Sequence, residues 1–316
     1  MQTLKRLFLT TLLVLIASFL IYSAFNFHTD KSLAELKKKY ALPPSQFVEI
    51  DGMPVHYRIE GALDSTAMVL IHGTGASLHT WEGWILHFEK HYRLIRFDLP
   101  AFGLTGPHPT HNYSIGYYAD FVNQFLEKLE VDSCVVAGNS LGGHIAWRFA
   151  AKYPEKVQEL VLIDASTYPN NKPIPLAFKL ARNQFTNIFM RYVTPRSLVK
   201  SSLLDVYGND DLVTDKVVDR YFDMQLRKGN RSAFIARANQ VESETLEQEI
   251  GMIKTIQQPT LILWGEEDNW LPVEHANRFF DDLPNGKLVT YEGVGHVPME
   301  EIPNETAKDV LRFLQK

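Results

Sequence analysis

The chain opens with an apolar run, Leu7 to Phe25 (LFLTTLLVLIASFLIYSAF), that follows Lys5 and Arg6 and carries no charge. At helical rise its length is close to the ~20 residues that cross a ~30 Å hydrocarbon core. A cleaved leader has a shorter apolar region, ~7–15 residues, with small residues two apart before the cut. Here Ala17, Ser18, Ser23 and Ala24 include no such pair. Residues 1–30 are therefore read as an uncleaved anchor that meets a lipid bilayer through residues 7–25. Lys31, Lys37, Lys38 and Lys39 follow the span, so the flanking charges leave its orientation open.

Beyond the anchor the periodicity changes repeatedly. SLAELKKKYA (32–41) reads as a short helix capped by Ser32 and ended by Pro43-Pro44, within a linker covering 31–45. FVEIDGMPVHYRIEG alternates about Asp51-Gly52, predicting a hairpin of strands near Phe47–Ile50 and Val55–Glu60. Six short apolar runs follow, at 67–71, 93–97, 134–138, 159–163, 260–264 and 287–291. Most alternate with segments of helical period: Trp81–Lys90, Ile115–Leu129, Leu141–Lys152 and Glu301–Gln315. Strands apolar on both faces and separated by helices predict an α/β fold, with a mostly parallel central sheet covered by helices on both faces. The hairpin adds antiparallel strands at one edge.

Between Ile163 and Thr260 no strand pattern occurs, and helical stretches appear at 175–193, 215–228 and 232–250. An insertion this long in a sheet protein is usually a functional lid or subdomain. The expected organisation is a core of 46–164 and 255–316 interrupted by a helical cap, 165–254.

Composition narrows the classes. A net charge of −5 with no long basic run gives no reason to expect nucleic acid. Cys134 is the sole cysteine and lies in an apolar run, which excludes an intrachain disulfide and Cys-rich zinc sites. The 11 histidines show no His-Glu-x-x-His spacing. Asn-x-Ser/Thr triplets at Asn112, Asn230 and Asn304 match at chance frequency.

The chemistry concentrates in CVVAGNSLGGHIAW, Cys134 to Trp147. An apolar strand, Gly138-Asn139-Ser140-Leu141-Gly142 and a helical run make the strand–turn–helix of a nucleophile elbow. The glycines fit a turn too sharp for side chains at those positions, and the helix start favours a developing oxyanion. A serine hydroxyl needs a base. His296, in EGVGHVPMEEIP after a strand and a Gly-rich turn, is the candidate, and Asp268, in LILWGEEDNWLP, is the acid to orient it. Glu266 and Glu267 are nearby rivals. The order Ser140, Asp268, His296 suits that scaffold. Backbone N–H groups of Leu141 and of Thr74 in VLIHGTGAS, with Gly75 second, are the expected oxyanion donors. His72 is read as a structural brace of that loop.

With IHGTGAS, RFDLPAFGLTGP, GNSLGG, LILWGEEDNWLP and GVGHVP in this order, residues from about Phe47 to Leu314 resemble the α/β-hydrolase superfamily. The resemblance is to its capped, serine-nucleophile branch of esterases, lipases and carbon–carbon bond hydrolases. It implies a triad of Ser140, Asp268 and His296, oxyanion donors Thr74 and Leu141, architectural roles for Asp98 and Phe102–Gly103, and no cofactor or metal. Ala101 stands where relatives often have glycine. The reaction expected first is hydrolysis of a small-molecule carboxylic ester, with an apolar or lipid-like acyl group. The alternative is carbon–carbon hydrolysis of a diketone-like substrate, which Asn139 before the serine resembles. Against it stand His-Gly-Thr-Gly in place of a triple-glycine stretch, and Val297 where that subgroup tends to have tryptophan. A binding protein on the same fold is a third reading, though such proteins typically lose a triad member. Oligomeric state is not legible.

Overall fold

The strand-like runs pack as the apolar pattern requires, in a computed structural model that describes residues 2–169 and 172–315. The strands are β1 (Gln46–Ile50), β2 (Met53–Gly61), β3 (Ala67–Ile71), β4 (Arg93–Phe97), β5 (Cys134–Asn139), β6 (Val157–Ile163), β7 (Thr260–Gly265) and β8 (Gly286–Tyr291). They form one sheet in the order β1-β2-β4-β3-β5-β6-β7-β8. β1 and β2 pair antiparallel, as do β2 and β4, and every other pairing is parallel. β3, β5 and β7 are buried at every position, the burial expected of strands covered on both faces. Asp51 (φ 50°) and Gly52 (φ 74°) turn the β1–β2 hairpin with two left-handed residues, as its asparagine-like Asp-Gly pair demands.

Helices fill both sides. Trp84, Phe88 and Val310, from helices Glu82–Phe88 and Pro303–Leu314, belong to one apolar layer. Phe121, Ile145 and Phe279, from helices Ile115–Lys128, Leu141–Lys152 and Glu274–Asp282, belong to the other. From β3 the chain moves to β4 on one side and, by way of a later crossover, to β5 on the other. A crevice opens where the strand order reverses in this way, outside the carboxyl ends of β3 and β5.

Among the described residues, six α-helices lie between β6 and β7: Leu176–Arg182, Thr186–Met190, Arg196–Leu204, Asp215–Gln225, Asn230–Ala238 and Leu246–Ile253. The run expected at 175–193 is broken because Asn183 Oδ1 accepts the N–H groups of Phe185 (2.9 Å) and Thr186 (3.2 Å), a local alternative to helix continuation. The run at 232–250 splits where Thr245 and Gln248 form a capping box that starts a new helix.

Apolar residues 7–25 lie in one exposed helix, Gln2–Phe25, long and apolar enough to cross a membrane by length and composition. The helix at Leu33–Tyr40 is capped by Ser32 Oγ, which accepts from Glu35 N–H at 3.1 Å, and it buries Leu36 and Tyr40. Residues between the two helices are packed rather than slack: Phe27 bridges Val193 antiparallel, and Lys31 bridges Arg227 parallel.

Candidate active site

The elbow is strained where the sequence pattern places it. Ser140 has φ 55° and ψ −116°, and the helix Leu141–Lys152 begins at the next residue. A Cβ on Gly138 would stand 2.1 Å from Gly142 O, and one on Gly142 would stand 2.1 Å from Ile71 O. Both obstacles are backbone, so neither position admits a side chain without moving a strand.

The second loop of the crevice, 72–75, lies directly against the elbow: a Cβ on Gly73 would be 3.1 Å from Ser140 Cβ. His72 braces it, as expected. Its Nδ1–H donates to Gly73 O (2.8 Å), and its Nε2 accepts from Leu99 N–H (2.9 Å). Burial lowers the His72 pKa, consistent with this neutral, two-sided arrangement. Thr74, Ser140 and Leu141 border one common space. Among the described residues, neither the Thr74 nor the Leu141 backbone N–H has a hydrogen-bond partner, so both are available to an oxygen placed there.

Asp98 takes an architectural position. Its Oδ1 accepts Leu78 N–H (2.7 Å), and its Oδ2 accepts Leu104 N–H (2.7 Å) and lies 2.8 Å from His56 Nδ1. A Cβ on Gly103 would overlap this carboxylate at 2.1 Å. Ala101 holds φ 82°, a left-handed backbone that explains why glycine suits this place, and its N–H donates to Gly106 O at 2.7 Å.

On the far side, His296 and Asp268 meet. His296 Nδ1 is 2.6 Å from Asp268 Oδ2, and Asp268 Oδ1 accepts N–H groups from Trp270 (2.7 Å) and Leu271 (3.0 Å). Glu266 instead accepts from Thr290 Oγ1 at 2.6 Å, at the exposed margin, and Glu267 is exposed. His296 Nε2 is buried without a partner, and His296 lines the same cavity as Ser140. An imidazole with Nδ1–H held by a carboxylate and Nε2 unengaged is set to accept a proton at Nε2.

Three sets of contacts have no spacing signal in the sequence. Asn139 Nδ2 donates to His296 O (2.9 Å) and to Ile163 O (3.2 Å), tying the elbow to the histidine loop. Asp164, just after β6, is wholly buried, with φ 43°. Its Oδ1 accepts Gly265 N–H (3.0 Å), whereas no N–H or O–H of a neighbour reaches Oδ2. Burial first, and the Asp268 carboxylate second, push the Asp164 pKa well above the ordinary carboxylate range. Both influences favour the neutral form of Asp164, a carboxylic acid beside the Asp268 carboxylate. Asp164, Asp268 and His296 place atoms within 4.8 Å of one another, a composition that could ligate a cation. Asp268 Oδ1 is engaged by two N–H groups and Oδ2 faces the imidazole, so a cation there would compete with the bonds that orient His296.

The third feature is a clamp between the inserted helices and the histidine loop. His296 N–H donates to Val206 O (2.7 Å), and Glu301 accepts N–H groups from Gly208 (2.8 Å) and Gly295 (2.9 Å). Glu300 gathers Tyr207 Oη (2.9 Å), Arg220 (2.9 Å), Tyr221 Oη (3.1 Å) and Thr80 Oγ1.

Two spaces meet at Ser140. One is a cavity with apolar walls that include Phe178, Leu198, Val199, Leu203 and Val297. The other reaches toward Lys172, Arg182 and Arg237.

Comparison with known proteins agrees with this geometry. The sequence model of a family described as alpha/beta hydrolase fold matches residues 66–303. An uncharacterized hydrolase, YugF, of Bacillus subtilis is 28% identical over 279 residues, 87% of this chain and 99% of its own. A 2-hydroxy-6-oxononadienedioate/2-hydroxy-6-oxononatrienedioate hydrolase of a Pseudomonas species is 26% identical, covering 85% of this chain and 94% of its own. Among solved structures, a membrane phospholipase A, described as a bacterial virulence factor, superposes with a TM-score of 0.71 at 26% identity. It covers 98% of both chains.

Proposed function

The chain belongs to the alpha/beta hydrolase fold family, and from that premise we propose that it is a serine hydrolase of carboxylic esters with an apolar acyl group, held at a membrane by residues 7–25. One observation carries the reading: a buried His296 Nε2 without a partner, on a cavity that Ser140 also lines, with Nδ1 held by Asp268.

In this mechanism Ser140 Oγ attacks the ester carbonyl as its proton passes to His296 Nε2. Asp268 keeps the imidazole in its tautomer and stabilises the imidazolium. The negative charge on the carbonyl oxygen falls on the N–H groups of Thr74 and Leu141. The carbon–oxygen bond then breaks, and His296 returns the proton to the leaving alcohol. Water, deprotonated by His296, attacks the acyl-enzyme, releasing the carboxylic acid and restoring Ser140. The apolar cavity suits an acyl tail, since such walls with few polar groups are typical of small-molecule sites. The anchor helix, and likeness to a membrane phospholipase A along 98% of the chain, favour an acyl lipid.

A second reading has its own support. Relatives named for cleaving dioic acids, and the Lys172, Arg182 and Arg237 side of the space at Ser140, suit a carboxylate-bearing diketone whose carbon–carbon bond is hydrolysed.

Chromogenic esters of rising acyl length separate the two. Ester turnover that rises with chain length and falls ~10⁶-fold in kcat in Ser140→Ala is the expected result. Ester turnover absent across the series, with Ser140-dependent cleavage of a vinylogous diketo acid, gives the site to the second reading.

A further inference from the structure

Helix Thr186–Met190 buries none of its residues. Phe185 is 71% exposed, Ile188 59%, Phe189 49% and Tyr192 54%. Scattered exposed apolar residues need no explanation, but a contiguous patch of large ones marks an interaction surface.

What covers this patch is indicated by its neighbour. The Phe19 ring of the anchor helix meets Phe189 edge-on at 5.5 Å, and Phe27 stacks on Tyr192 at 6.4 Å. Backbone bonds fix the two together: His28 N–H to Tyr192 O (3.1 Å) and Thr194 N–H to Asn26 O (2.9 Å). Phe19 lies six residues before the end of the helix at Phe25, or roughly 9 Å along its axis at helical rise. Interfacial helices bury their apolar face ~5–10 Å into the headgroup boundary, the depth Phe189 would reach if the helix enters the bilayer at Phe25.

The stem behind the anchor allows little slack. Lys31 Nζ (2.7 Å), Lys39 Nζ (2.8 Å) and Tyr40 Oη (2.7 Å) all converge on Asp223, a residue of the helix Asp215–Gln225. Arg231 bonds His28 O (2.9 Å) and pairs with Asp30 (2.5 Å). Met190, on the helix that carries the patch, walls the cavity inside, together with Ala177 and Phe178 on the helix Leu176–Arg182 before it. Lys179 and Arg191, both exposed on this segment, suit anionic headgroups.

We propose that the outer face of residues 185–192 lies in the bilayer beside the anchor helix, so that an acyl lipid enters the catalytic cavity from the membrane across this thin wall. The entry route rests on the ester-hydrolase reading above, whereas the placement of the patch does not.

The test uses the full chain in vesicles of phosphatidylcholine and phosphatidylglycerol. A polarity-sensitive fluorophore is attached at Ile188→Cys or, as control, at exposed Lys128→Cys, at the end of the helix that leads into β5, with buried Cys134 left in place. The 188 label should shift to the blue and be quenched by brominated lipid, and the 128 label should do neither. In parallel, Phe185→Glu/Phe189→Glu should lose at least tenfold in turnover of a long-chain acyl ester embedded in the vesicle. Its turnover of a soluble short-chain ester in detergent should stay within twofold. A 188 label that remains in water overturns the proposal. So does one shielded equally without lipid in a dimeric sample, which would make a second copy the occupant. Equal loss on both substrates overturns the entry route. Failure of the hydrolase reading looks different: wild type and Ser140→Ala would then be indistinguishable on the soluble ester, wherever the label sits.

Discussion

Asp164 shows how one side chain can shape a site without a motif to announce it. A carboxyl buried against a second carboxylate is pushed toward its neutral form, in which it can donate to Asp268. Hydrogen bonds to charged groups contribute about 1.5–3 kcal/mol, so removing the donor should cost about 10- to 100-fold in kcat. Asp164→Asn keeps an N–H donor and should retain activity within a few-fold. Asp164→Ala should show the full loss with KM little changed. Steady-state kinetics of the pair decides it: equal effects would make Asp164 a packing residue. Gly138 makes the complementary point, because a Cβ 2.1 Å from Gly142 O cannot be accommodated. Gly138→Ala should fail to yield folded protein on size-exclusion chromatography.

The inserted helices are more than a cover. Through Val206, Gly208 and the Glu300 cluster they hold the loop that carries His296. Arg220 and Glu300 are both largely buried, and removing one partner of such a pair leaves an uncompensated charge at about 3–5 kcal/mol. Glu300→Ala should therefore lower the denaturant midpoint and reduce kcat together, and adding Arg220→Met should recover much of the stability. A double variant no more stable than the single one would mean that Tyr207 and Tyr221, not the charge pair, dominate the clamp. At this scale the helical periods at 175–193 and 232–250 did not reveal their breaks, since Asn183 and the Thr245 capping box act through local hydrogen bonds that periodicity does not register.

For the whole molecule, the stem sets where the chain can be cut. Removing residues 2–25 deletes an exposed helix, whereas removing 2–40 also strips Lys31, Lys39 and Tyr40 from Asp223. The first truncation should keep Tm within a few degrees of the full chain, and the second should lower it clearly in a thermal melt. Acid should also destabilise the fold. Burial pushes the His79 pKa down to about 3 and lowers that of His72. The unfolded chain binds these protons near pH 6.5, while folded His79 refuses its proton until about pH 3, so stability falls as pH drops across that window. Tm should decline between pH 7 and 4.5, and His79→Gln should flatten the decline. An unchanged slope in that variant would assign it to other groups.

The sequence by itself determined the strands and their covering on both faces, the elbow at Ser140, the order of the candidate triad and the apolar run at the start. Each is local: periodicity, a glycine spacing forced by backbone contact, or a run long enough to span hydrocarbon. Asp164 against Asp268, Asn139 bridging to His296, the Glu300 clamp and the stem locked to Asp223 join residues distant in the chain, and no spacing rule connects them. Only the tertiary structure decided these, because burial sets which groups keep or lose a proton, and burial exists only once the sheet, the inserted helices and the stem have packed together.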